Sequence, residues 1–97
     1  MPKVPEPLSL AALEWACCAS SCSMLSPENR TNAEQLATQC SRIRTRSDAR
    51  SARISAEAWE DFLGDFQYGD EREWLRLMTR FHNLLAAVER AEKGLTR

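Results

Sequence analysis

The sequence predicts an all-α fold: a compact four-helix domain whose last two helices form an antiparallel hairpin. Three observations predict it. Apolar residues recur at three-and-four spacing along most of the chain. Glycine and proline number only 3 and 4 in 97 residues, too few for a sandwich or a linker-rich array. Serine, asparagine or aspartate stands before each apolar run, where an N-cap belongs. A chain of this length builds one core, so residues 1–97 are read as a single helical unit.

The first helix is expected over 9–25, with Ser9 as N-cap and Leu8 and Leu13 as a hydrophobic staple. Thirteen of residues 8–25 are apolar and only Glu14 is charged. A helix apolar nearly all round is either central or covered by a second molecule. The second is expected over 27–46. Ser26-Pro27-Glu28 reads as N-cap, first-turn proline and an acid at the positive helix end, while Asn32 with Gln35 offers a later start. Residues 47–54 are polar and weakly patterned, and read as a flexible joint. The third helix is expected over 56–67, with Ser55 as cap, Ile54 and Trp59 as staple, and Trp59, Phe62, Leu63 and Phe66 as its buried face. The fourth is expected over 71–93. Asp70-x-x-Glu73 caps it, Gly94 stops it, and Leu77, Phe81, Leu84, Val88, Ala91 and Leu95 carry its core stripe.

The short link at 68–70 makes helices three and four antiparallel. One register then matches Asp65 with Arg72, Asp61 with Arg76 and Glu57 with Arg80. That ladder leaves Glu60, Asp70, Glu71 and Glu73 without partners in an acidic stretch of seven carboxylates and one arginine over 57–73. The opposite sign collects upstream. Arg42, Arg46, Arg50 and Arg53 line one side if helix persists, with Arg44 beside them and Asp48 as the only acid. Guanidinium forks suit carboxylates and phosphates equally.

No constellation in the sequence carries catalysis, and a non-enzymatic protein is expected. Ser20, Ser21 and Ser23 lack a base and an oxyanion element. His82 is the only histidine, and it is followed by Leu85 and Ala86 where a phosphotransfer domain would carry lysine and glycine. Cys18 and Cys22 stand at i,i+4, with Cys40 elsewhere, but no C-x-x-C turn pair accompanies them. Core thiols are therefore expected, with no metal and no cofactor; a cysteine metal or redox site is the third reading. Glu14 interrupts the apolar run near the N-terminus, and Pro5 and Pro7 precede it, so neither a signal segment nor a membrane span is expected and the cytoplasm is the expected compartment.

The 13 basic and 14 acidic residues nearly cancel, so no global charge announces nucleic acid or membrane. The leading expectation is a protein-binding module acting on a larger protein or nucleoprotein complex. Arg42, Arg46, Arg50 and Arg53 form one contact, and Glu60, Asp70, Glu71 and Glu73 a second. Trp15, Cys18 and Cys22 mark a further partner or homodimer face on the over-apolar first helix. The alternative is a small nucleic-acid-binding regulator using the Arg42–Arg53 patch. Eleven arginines against two lysines, with thirteen alanines, point to a GC-rich bacterial or phage source. Size, helicity and this composition are similar in kind to phage-encoded inhibitors of bacterial defence such as anti-CRISPR proteins. That resemblance implies blockade of a complex in the bacterial host cytoplasm, and it assigns no individual residue.

Overall fold

The computed structural model describes residues 6–65 and 71–95, which form α1 (Glu6–Ser20), α2 (Pro27–Ser41), α3 (Arg46–Asp65) and α4 (Glu71–Gly94), with no strand among them. The all-α expectation holds. The boundaries of the first three helices differ from the expected ones, each for a local reason.

Helix α1 starts earlier than Ser9, because Pro7 falls in the first turn, where its missing N–H leaves no helical bond unmade. It also ends earlier, at Ser20. The Ser20 hydroxyl donates to the Cys17 carbonyl (3.1 Å), and the Ser21 hydroxyl to those of Cys17 and Cys18 (3.0 and 3.2 Å), so side chains take up the last-turn carbonyls. In α2 the Ser26 cap prevails over the Asn32 start: its hydroxyl accepts from the Asn29 N–H at 3.1 Å, and Pro27 follows at N1. Helix α2 then stops at Ser41, not near 46.

The flexible joint at 47–54 is not there. Helix α3 begins at Arg46 and runs through it, started by a capping box that centres on Thr45 and Asp48. The Asp48 N–H donates to the Thr45 hydroxyl, while the Asp48 carboxylate accepts from the Thr45 and Arg44 N–H groups, all at 3.1 Å. Ser55 is consequently mid-helix rather than a cap, and Ile54, expected in a staple, is 57% exposed. The buried face of α3 is Ala49, Ala52, Ala56 and Leu63, with Trp59 half-buried; Phe66 lies outside the described residues. Helix α4 follows expectation: Leu77, Phe81, Leu84, Val88 and Ala91 are buried.

Consecutive helices run antiparallel. Arg30 at the start of α2 donates twice to the Cys22 carbonyl just after α1 (3.2 and 2.8 Å), and Trp15 Nε1 donates to the Ala33 carbonyl at 3.0 Å. Arg50 and Arg53, early on α3, meet Glu92, late on α4, at 3.7 and 2.6 Å. Helices α1 and α4 are joined by Arg80–Glu14 at 3.4 Å. The carboxylate of Glu73 also accepts from the hydroxyl of Ser23 (2.9 Å) and from its N–H. The centre is aromatic: the Trp15 ring sits edge-on to Trp59 and Phe81, with centroids 5.3 and 5.6 Å away. Three edges of this bundle are closely packed, and the fourth, between α2 and α3, is the loosest.

Two rungs of the expected charge ladder between α3 and α4, Glu57–Arg80 and Asp61–Arg76, do not form. Arg80 binds Glu14 on α1, Glu57 binds Arg53 within α3 (3.1 Å), and no pair joins Asp61 to Arg76. The side chain of Asp65 lies outside the described residues. The expected register set Arg53 beside Leu84, two turns short of its observed partner Glu92.

Candidate functional site: the face between α2 and α3

The looser α2–α3 edge leaves two adjoining hollows of about 420 and 470 Å³. They share Gln35 and Gln39, so they form one groove along the bundle. Its α2 wall is an amide ladder, Asn29, Asn32, Gln35 and Gln39, at the three-and-four spacing that keeps side chains on one helix face. None of these four side chains makes a hydrogen bond within the described residues, so each amide retains its donors and acceptor for a ligand. The α3 wall is small (Ser51, Ser55, Ala58) and ends in aromatic carbon, with Leu36, Trp59 and Phe62 beside it. Phe62 is 36% exposed. Small residues let another backbone approach closely, and the aromatic end offers an anchor.

Arginines stand at the other end. Arg42 lines the groove as the C-cap of α2, Arg44 lies in the turn, and Arg46 opens α3; all three are exposed and make no ion pair among the described residues. The turn that carries them is held by Asp48, whose carboxyl is lowered from its ordinary range by the Arg44 and Thr45 N–H groups. Glu92 is lowered likewise, first by the hydrogen bond from Arg53. Both folded-state values lie below the unfolded ones, so their stabilisation is complete above the ordinary carboxylate range and lost as pH falls through the lowered values. The melting temperature is therefore expected to fall below about pH 4. The gap between the wild type and Asp48→Asn should shrink over the same interval, which thermal melts at stepped pH would read.

The arginine side expected on one helix divides. The break at 42–45 separates Arg42 from α3, where Arg46, Arg50 and Arg53 share a face. Arg53 is bound to Glu92 and Glu57, and Arg50 to Glu92, so the free cationic end is Arg42, Arg44 and Arg46. Of the expected acidic contact, Glu60 is exposed on α3 and Glu71 exposed at the start of α4, whereas Asp70 lies outside the described residues. Glu73, expected without a partner, holds the α1–α2 turn through Ser23. Among the described residues, Glu60, Glu71 and Glu73 make no ion pair with Arg42, Arg44 or Arg46.

Trp15, Cys18 and Cys22 do not form one exposed face, although Cys18 and Cys22 border a hollow of about 390 Å³ with Ser23, Arg72 and Arg76. Trp15 and Cys22 are buried and Cys18 is half-buried, because α1 turns this side toward α2 and α4. What α1 exposes is Leu10, Leu13 and Cys17. Burial pushes the thiols of Cys18 and Cys22 up, and that of Cys40 up to about 12, which holds all three protonated at neutral pH. The α1–α2 pairing sets Cys40 at the opposite end of the bundle from Cys22, and no metal-ligating group of three side chains exists among the described residues. His82 is exposed, its ring against Phe81 with centroids 5.8 Å apart.

No family model, curated protein or solved structure matches this chain. No described helix is long and apolar enough to cross a membrane.

Proposed function

We propose that this chain is a non-enzymatic protein-binding module whose contact surface is the α2–α3 face. The observation that carries the reading is the groove itself: four amides with unused hydrogen-bonding capacity opposite a small-residue wall, ending in Phe62 at one side and Arg42 at the other. Amides bond a peptide backbone as donor and acceptor at once, and arginine grips carboxylates. The target is a subunit of a larger bacterial assembly in the host cytoplasm, which the module blocks in the manner of anti-CRISPR inhibitors. Small size, helicity and arginine-rich composition support that last step.

The test is affinity capture from a bacterial lysate with and without nuclease, comparing the wild type with Ala58→Arg and Leu13→Glu. Ala58 and Leu13 are both exposed, so neither change disturbs the core. A stoichiometric protein that survives nuclease is expected with the wild type and Leu13→Glu, and is lost with Ala58→Arg. Recovery that vanishes with nuclease transfers the site to Arg42, Arg44 and Arg46 and a phosphate backbone, with affinity falling steeply as salt rises.

A further inference from the structure

The charges around this face are arranged for the face to meet itself. On α3 the solvent-facing strip is Ser47, Ser51, Ile54 and Ala58, small residues on either side of one isoleucine that is 57% exposed. Arg46 and Arg50 flank its first half, and Glu57 and Asp61 its second. On α2 the order is reversed along the chain, with Glu28 at the start, Glu34 midway and Arg42 at the end. Because α2 and α3 are antiparallel, both arginine ends lie together, and so do both acidic ends. Glu28, Arg42, Arg46 and Asp61 make no ion pair among the described residues.

The geometry points to a homodimer in which a second copy of this chain covers the α2–α3 face. The inference rests on the reading of this face as the contact surface, and adds that the module covers it by self-association when no target is bound. A closed dimer needs a two-fold axis lying in the plane of contact. With that axis along the helices, arginine end meets arginine end. With the axis across the helices, each helix lies antiparallel to its own copy, and arginine end meets acidic end.

The second arrangement is over-determined. Pairing Arg46 with Asp61 of the second copy sets the midpoint on α3, between Arg53 and Ile54. Pairing Arg42 with Glu28 independently sets the midpoint of α2 at Gln35. The groove places Gln35 opposite Ser51 and Ser55, so the two midpoints stand at one level and a single axis serves all the pairs. On that axis Ile54 meets Ile54 of the second copy and Gln35 meets Gln35, an apolar contact and a reciprocal amide pair. One long side of a body 43 × 21 × 21 Å can supply the roughly 800 Å² per partner of a standard interface. The rim ion pairs fix orientation more than affinity, which comes from burying Ile54, Ala58 and the edge of Phe62.

Sedimentation equilibrium of the purified chain tests this. The wild type is expected to approach twice 11.0 kDa as concentration rises. Ile54→Asp, which sets two carboxylates on the axis without touching the core, should weaken dimerisation by at least about tenfold. Arg42→Glu with Arg46→Glu should be monomeric, as should Glu28→Arg with Asp61→Arg, and an equimolar mixture of the two double variants should recover the dimer mass. A wild type that stays at 11.0 kDa up to millimolar chain overturns the proposal, as does a mixture that remains monomeric. A dimer that survives Ile54→Asp and dissociates with Leu13→Glu places the contact on α1 and overturns it too. These readouts use pure protein. A monomeric wild type that still captures a target through Ala58 removes the dimer alone, and a dimer that captures nothing removes the target reading alone.

Discussion

Trp15→Ala is expected to remove about 3–5 kcal/mol of folding stability, the largest loss from any single side chain. Trp15 is fully buried, and three helices meet on it. Its Nε1 donates to the Ala33 carbonyl on α2, and its ring lies edge-on to Trp59 on α3 and Phe81 on α4. Truncation leaves a cavity, leaves the rings of Trp59 and Phe81 facing it, and strips a buried carbonyl of its donor. A chain of 97 residues has a total stability of only about 5–15 kcal/mol. Urea denaturation should therefore show a midpoint lowered by at least about a fifth, and the melting temperature should drop by upwards of about 12 °C. Trp15→Phe separates the two contributions. It keeps most of the ring packing and removes the donor, so its loss should be well under that of alanine. Equal losses in the two variants would show that the hydrogen bond, not the aromatic cluster, dominates at this site.

The position of Trp15 also shows how far the sequence could be read. Helix α4 was legible because its core residues are large: Leu77, Phe81, Leu84 and Val88 repeat at helical spacing, and periodicity is a signal carried by bulky side chains. The Ser26 cap was legible because serine before proline has few other uses. Trp15 was not, since an over-apolar helix presents no polar side to show which way it faces. Its orientation is set by packing against α2 and α4. The first half of α3 was illegible for the opposite reason. Its buried face is three alanines among arginines and serines, and alanine contributes almost nothing to a hydropathy pattern. The one local signal was Thr45-x-x-Asp48, a capping box that marks the helix start. Once α3 begins at Arg46 the charge pattern changes meaning. Of the residues that suggested a ladder with α4, Glu57 is bound by Arg53 and Arg80 by Glu14, while Asp61 and Arg76 are exposed, and the groove depends on which of the four helix edges closes least. That last property follows from side-chain volume across the whole bundle, which no local pattern encodes.

Ala52→Leu distinguishes a packed helix from a joint at residues 47–54. Ala49, Ala52 and Ala56 are each fully buried, so along this stretch α3 approaches the bundle with nothing larger than a methyl group between. Leucine adds three carbons at a fully buried position, and the helix must shift outward or adopt strained angles. The expected loss is about 1–3 kcal/mol, read as a lower urea midpoint at unchanged slope. A flexible joint would absorb the same substitution within about 0.5 kcal/mol. The displacement has a second consequence, because Ser51, Ser55 and Ala58 ride on the same helix and form one wall of the groove. Moving that wall alters the spacing between it and the amides of α2. Ala52→Leu should then weaken target capture although residue 52 is buried and touches no ligand. Amide exchange across 49–56 reads the same helix directly. Protection there in the wild type requires that Thr45 and Asp48 start a helix the alanines hold in place, and its loss in Ala52→Leu would trace the weakened capture to the wall rather than to the groove's own side chains.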